Sequence, residues 1–145
     1  MAGKNALSLS PYVWSYNGRC EEAIALYCKV LDAKVVVKMR YSDHPNAEAE
    51  FRARPEVNLH AIMHAQLEIG GTSLMMSDGG PGTAVKPQGF SLALMIDSES
   101  EAQRIFSALS EGGSVVQPME KTFFSPKFGM CKDRYGVGWT VVTSN

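Results

Sequence analysis

Leu59-His-Ala-Ile-Met-His-Ala-Gln-Leu-Glu-Ile-Gly-Gly-Thr-Ser-Leu-Met-Met-Ser-Asp78 is the stretch on which the reading of this chain turns. Leu59, Ala61, Met63, Ala65, Leu67 and Ile69 are apolar, and His60, His64, Gln66 and Glu68 interleave with them. That period of two marks a half-buried strand. Gly70-Gly71 supplies the two central residues of a tight hairpin turn, and residues 72–78 return as its partner strand. A two-residue turn sets Ile69 opposite Thr72, Leu67 opposite Leu74 and Gln66 opposite Met75. Ala65, Leu67, Ile69, Leu74 and Met76 then share the face suited to a helix. His64, Gln66, Glu68, Met75 and Ser77 share the other.

Upstream, residues 20–31 place Ala23, Ile24, Tyr27, Val30 and Leu31 on one stripe of an amphipathic helix. Asn17-Gly18 is a start signal, and Glu21 and Glu22 suit the positive end of the helix. Downstream, residues 99–111 repeat the pattern with Ala102, Ile105, Phe106 and Leu109. There Ser98 and Glu101 form a capping box, and Gly112-Gly113 ends the helix. Each helix follows a short alternating strand, residues 11–17 and 90–97, and precedes a β-branched run, Val35-Val36-Val37 and Val115-Val116. At an offset of about 80 residues, Ala23 meets Ala102, Tyr27 meets Phe106 and Asn17 meets Asp97. This is a weak internal repeat of one supersecondary unit. Strands at 128–132 and 137–143, joined by an Asp133-Arg-Tyr-Gly136 turn, complete the second copy. Residues 43–57 read as a loop with room for a short helix over 47–54. The expected fold is α+β: two tandem βαβββ modules, residues 8–78 and 90–143, joined by a linker over 79–89 in one structural domain. Each sheet would pack one face on a helix and curve the other around a cavity.

Composition narrows the function. The chain has 145 residues, 45% hydrophobic and 20% charged, and a net charge of −1. With 14 basic against 15 acidic residues, no excess positive charge is present to hold a nucleic-acid backbone. No apolar run approaches the roughly 20 residues of a membrane span, and residues 1–10 carry no secretory pattern, so a cytoplasmic location is expected. Cys20, Cys28 and Cys131 are odd in number and form no CxxC, which points to free thiols rather than disulfides or structural zinc.

The strand faces nominate a site. Tyr12, Trp14 and Tyr16 share a side of the first strand, as core or as the wall of a pocket. Ser91, Ala93 and Met95 oppose the helix-facing Leu92, Leu94 and Ile96, and Thr140 and Val142 oppose Trp139 and Val141. If the aromatic stripe faces the same side as Ser91, Met95, His64 and Met75, the surface has aromatic and thioether walls with sparse polar groups, the chemistry of a small-molecule cavity. Thr122-Phe123-Phe124 is either a hydrophobic loop anchor or a flap at its mouth. His64 is the candidate general base, with Glu120 as a candidate acid. His60 and His64 on one strand stand about 13 Å apart, too far to chelate an ion. His44 falls in a polar loop, and Asp78 reads as a turn cap. Gly79-Gly-Pro-Gly82 leads to no helix, so it resembles neither a nucleotide loop nor a binding turn for S-adenosylmethionine.

The segments Ser10-Pro-Tyr-Val-Trp14, Asn17-Gly-Arg-Cys-Glu-Glu-Ala-Ile-Ala-Leu-Tyr27, His64 to Asp78, Gly89-Phe-Ser-Leu92, Thr122-Phe-Phe124 and Phe128 to Trp139 resemble the PhnB-like family. That family is also labelled 3-demethylubiquinone-9 3-methyltransferase-like. It belongs to the vicinal oxygen chelate superfamily of glyoxalase I, extradiol dioxygenases, and fosfomycin- and bleomycin-resistance proteins. The resemblance implies the glyoxalase/bleomycin resistance fold and a homodimer. It also implies that metal-dependent relatives hold a divalent ion at positions matching Tyr12, Met75, Ser91 and Thr140. None of these is a good ligand, and the neighbours Val13, Met76, Leu92 and Val141 are no better. The expectation is therefore a small-molecule-binding protein without a metal or other cofactor, its binding residues drawn from Tyr12, Trp14, His64, Gln66, Met75, Ser91, Phe123, Phe124 and Thr140. The alternatives are a lyase- or isomerase-type enzyme using His64 or a relocated metal site, and a non-catalytic structural dimer.

Overall fold

A computed structural model describes residues 6–80 and 85–144. The chain divides into two compact units, residues 1–28 with 32–84, and residues 29–31 with 85–145. The first carries strand β1 (Tyr12–Val13), helix α1 (Cys20–Leu31, whose last three residues group with the second unit), and β2 (Lys34–Arg40). A 3₁₀ turn (Tyr41–Asp43), the short helix α2 (Ala47–Phe51), β3 (Ile62–Ile69) and β4 (Thr72–Met76) complete it. The second carries β5 (Leu92–Ile96), α3 (Glu99–Ser110), β6 (Ser114–Glu120), β7 (Phe128–Lys132) and β8 (Gly138–Thr143). Each unit holds one mixed four-stranded sheet, in the orders β1-β4-β3-β2 and β5-β8-β7-β6. The first strand of each unit runs parallel to the last, and the remaining pairs are antiparallel. This is the α+β arrangement of two βαβββ modules, and among the described residues neither sheet closes into a barrel. Part of the expected linker, residues 81–84, lies outside the described residues. Among the described residues no helix is long and apolar enough to cross a membrane.

The hairpin follows from its glycines. Gly70 and Gly71 adopt φ of 55° and 84°, the left-handed pair that a twisted two-residue turn requires. The register is the expected one: Ile69 with Thr72, Leu67 with Leu74, Gln66 with Met75. Ala65, Leu67, Leu74 and Met76 are buried as expected. Near its start β3 departs from strict alternation. Ile62 is buried while Met63 is only half-buried, and the β2 pairing slips between Met39 and Arg40. Ser77, expected on the open face, is also buried.

Helix α1 spans the expected residues but starts differently. Asn17 sits in the left-handed region at φ 53°, and the N-cap is Arg19, which makes no side-chain cap. Asp78 supplies what the local sequence lacks. Its Oδ1 accepts from Gly18 N and Cys20 N, both at 2.8 Å. Its Oδ2 accepts from Ile62 N at 2.8 Å. The carboxylate thus joins the helix start to β3, a wider role than capping its own turn. At α3, Ser98 Oγ accepts from Glu101 N at 3.2 Å, but the Glu101 carboxylate pairs with Arg104 instead of closing the capping box.

In the second unit, α3 lies close on the sheet. A Cβ at Gly129 of β7 would come within 2.8 Å of the Phe106 ring, so only glycine admits this approach. Trp139, Val137 and Val141 are buried, and Asp133 Oδ2 accepts the Trp139 indole N–H at 2.9 Å. Both outer strands are bulged at matching places: Val36 is skipped in the β2–β3 pairing and Val116 in the β6–β7 pairing. Bulges at exposed edges hinder strand addition by another chain.

Candidate functional site

On the first sheet, a row of register partners crosses the four strands: Tyr12, Met75, Gln66 and Val37. The strand β1 is only two residues long, shorter than the expected 11–17 strand, but it pairs Tyr12 directly with Met75. From there the phenol reaches diagonally over β4. Its Oη lies 2.8 Å from His64 Nδ1, and the rings are 5.5 Å apart with a 38° tilt. Burial, followed by the proximity of Cys20 and Tyr41, holds the Tyr12 phenol above its ordinary pKa. Gln66 Nε2 donates to Ser73 Oγ at 3.0 Å, which fixes its amide. His64, Gln66 and Met75 are half-buried, and Tyr12 and Trp14 are exposed.

The expected aromatic stripe does not hold together. Tyr16 leaves it and is buried, with its hydroxyl 3.1 Å from that of Tyr27 on α1. The cause is the early end of β1: beyond Val13 the chain turns inward at Ser15 and Tyr16, both buried, before the left-handed Asn17.

On the second sheet the matching row is Ala93, Thr140, Met130 and Gln117. Ser91 is not the register partner of Thr140; Ala93 is. Ser91 still meets Thr140 through its side chain, the two hydroxyls lying 2.6 Å apart. The next row is apolar: Met95, Val142 and Phe128, ending at Glu120. Met95 is 70% exposed. Phe124 packs edge-on against Phe128 at 5.3 Å and so anchors its loop, while Phe123 is fully exposed. Thr122 Oγ1 holds that loop by accepting from Phe124 N and Ser125 N. Phe128 was not singled out in the sequence. Aligning the two β-hairpins on Gln66–Met75 and Met130–Thr140 would have found Phe128, which takes the place of His64.

Glu120, the candidate acid, stands in the second unit, where it accepts from Gln117 Nε2 at 2.6 Å; His64 stands in the first. His60 precedes β3 and is exposed, with its carbonyl taken by Arg40. Among the described residues no three His, Cys, Asp or Glu side chains converge as a metal site. The donor set carried over from metal-dependent relatives comprises a phenol, a thioether and two hydroxyls. It does not suit a hard or borderline divalent cation.

A family model described as 3-demethylubiquinone-9 3-methyltransferase matches residues 8–142. Protein YjdN of Escherichia coli (strain K12) is 31% identical over 139 residues, covering 93% of this chain and 94% of YjdN. The crystal structure of protein PA1353 from Pseudomonas aeruginosa is 37% identical, with a TM-score of 0.82 over 95% of this chain and 98% of that one. The PhnB protein from Bacillus cereus is 25% identical, with a TM-score of 0.74 over 92% and 98%. The fold extends to a glyoxylase/bleomycin resistance protein/dioxygenase domain from Frankia sp. EAN1pec, at 14% identity and a TM-score of 0.59 over 100% and 99%.

Proposed function

Because the chain belongs to the 3-demethylubiquinone-9 3-methyltransferase (PhnB-like) family, we propose that it binds a small organic molecule on the open faces of its sheets, without a divalent ion. The observation that carries this reading is the state of the would-be ligand positions. Tyr12 is engaged by His64, and Ser91 and Thr140 are engaged by each other. A metal would have to break both contacts to gain weak donors. What remains suits an organic ligand: a phenol, an imidazole, an amide and thioethers on a half-buried floor. Binding residues are drawn from Tyr12, Trp14, His64, Gln66 and Met75 in the first unit, and from Ser91, Thr140, Phe123 and Phe124 in the second. The protein acts as a cytoplasmic homodimer.

Methyl transfer is not part of this reading. Gly79 and Gly80 follow β4, and the next element among the described residues is β5, so the described residues offer no strand–glycine turn–helix for S-adenosylmethionine. Metal analysis of desalted protein is expected to give far less than one ion per chain; stoichiometric nickel, zinc or manganese would defeat the metal-free reading. A thermal-shift screen of small organic compounds is expected to find stabilising ligands, and a blank screen would favour a purely structural dimer. Sedimentation is expected to give twice the chain mass.

The Tyr12–His64 contact favours a second reading, an isomerase- or lyase-type enzyme in which His64 moves a proton. His64→Ala with the fold retained would abolish such a turnover; an unchanged rate would remove His64 from it.

A further inference from the structure

Resting on the reading of the first sheet as a small-molecule site, we propose that Tyr12 is a positioning residue that locks His64 in its Nε2–H tautomer, so that this face selects small planar carboxylates. The contact lies at Nδ1, 2.8 Å from the phenol oxygen. Of the two neutral partners, the phenol is the stronger donor and the imidazole nitrogen the stronger acceptor. The O–H therefore donates to Nδ1, and the ring keeps its proton on Nε2. Among the described residues nothing in the first unit bonds to Nε2, so a fixed N–H donor is presented on the open face. Such a donor rewards an oxygen acceptor, above all an anionic one, and penalises an ammonium group.

The neighbours agree with an anion. Glu68, the carboxylate on the same side of β3, stands four residues along, about 13 Å away, and its register partner is Lys34. His64 itself pairs with Met39, and the row beside it contains Met75 and Val37. Thioethers against a flat aromatic wall favour a planar ligand over a branched one. Tyr12 does not touch that ligand's carboxylate in this scheme; it acts through His64.

Two measurements on the full-length protein test the proposal. Long-range proton–nitrogen spectra at neutral pH are expected to show His64 protonated at Nε2 and bare at Nδ1, and Tyr12→Phe is expected to return the ring to a mixture of tautomers. Protonation at Nδ1 in the wild type, or an unaltered ring in Tyr12→Phe, overturns the proposal. The second measurement is titration with benzoate and benzylamine, followed at the His64 ring and the Met75 methyl. Benzoate is expected to move both signals, with about tenfold weaker binding in Tyr12→Phe, the worth of one hydrogen bond. Benzylamine is expected to move neither. Equal response to benzylamine overturns the carboxylate selection while leaving small-molecule binding intact. Silence toward both probes overturns the proposal and the binding site beneath it.

Discussion

The two βαβββ units solve one problem with different chemistry. Where the last strand ends, each must tie itself to the start of the strand just before it. In the first unit Asp78 N donates to Ile62 O at 2.9 Å, and the Asp78 carboxylate accepts from Ile62 N. In the second, Thr143 N donates to Lys127 O at 2.9 Å, and Thr143 Oγ1 accepts from Lys127 N at 2.8 Å. The clasp is the same, made by a carboxylate in one unit and a hydroxyl in the other. The helices explain the exchange. α3 carries its own cap in Ser98, so its unit needs only a hydroxyl. α1 begins after Arg19 with no side-chain cap, so a charged group with a spare oxygen serves both clasp and helix start. The open faces diverge as well: Tyr12 and His64 mark the first, and Met95, Val142 and Phe128 mark the second.

If this account holds, Asp78→Ala is the most damaging of the substitutions considered. It leaves three backbone N–H groups without their acceptor, two of them at a helix start, and should cost about 3–5 kcal/mol in denaturant unfolding. A loss no larger than that of the Thr143 variant would break the comparison. Thr143→Val removes the hydroxyl that clasps Lys127 and meets Ser125 Oγ, and should cost about 1–2 kcal/mol. Ser98→Ala should cost about 1 kcal/mol, localised to α3 in amide exchange. Arg19→Ser sharpens the argument: it gives α1 the local cap that α3 has. In the Asp78→Ala background it should recover up to about 1 kcal/mol, and much less in the wild type.

The smallest expected effect concerns thiols. Each unit buries one cysteine near an aspartate, Cys20 near Asp78 and Cys131 near Asp133. Burial first, and then the carboxylate, raises both thiols, with Cys131 pushed up to about 11. The neutral thiol is the form the fold favours. Its contribution is complete below the unfolded thiol pKa of about 8.5 and is lost as pH rises toward the folded value. Native protein near pH 8 should therefore label at Cys28 alone, with Cys20 and Cys131 reacting only after unfolding. Rapid labelling of all three would contradict the burial of Cys20 and Cys131.

Much of this was legible from residues alone. The hairpin register follows from Gly70-Gly71 and the alternation around it. Both helices and the resemblance between halves follow from stripe, cap and following strand. Leu67 and Leu74 were placed on the buried face correctly. The failures share a cause. The aromatic stripe was extended to Tyr16 because alternation cannot announce that β1 stops at Val13. Asp78 was read as a turn cap because its principal partners, Gly18, Cys20 and Ile62, lie 60, 58 and 16 residues away.

Local pattern thus determined what each segment becomes, because periodicity, turn glycines and helix caps act over a few residues. It determined the donor types at the would-be metal positions too, since those are simply the side chains present. Tertiary structure alone decided which polar atoms meet. The Tyr12 phenol finds His64 across an intervening strand, and the Asp78 carboxylate finds a helix start laid down 58 residues earlier in the chain. Hydrogen bonds of that reach depend on strand order and register, which no run of neighbouring residues encodes.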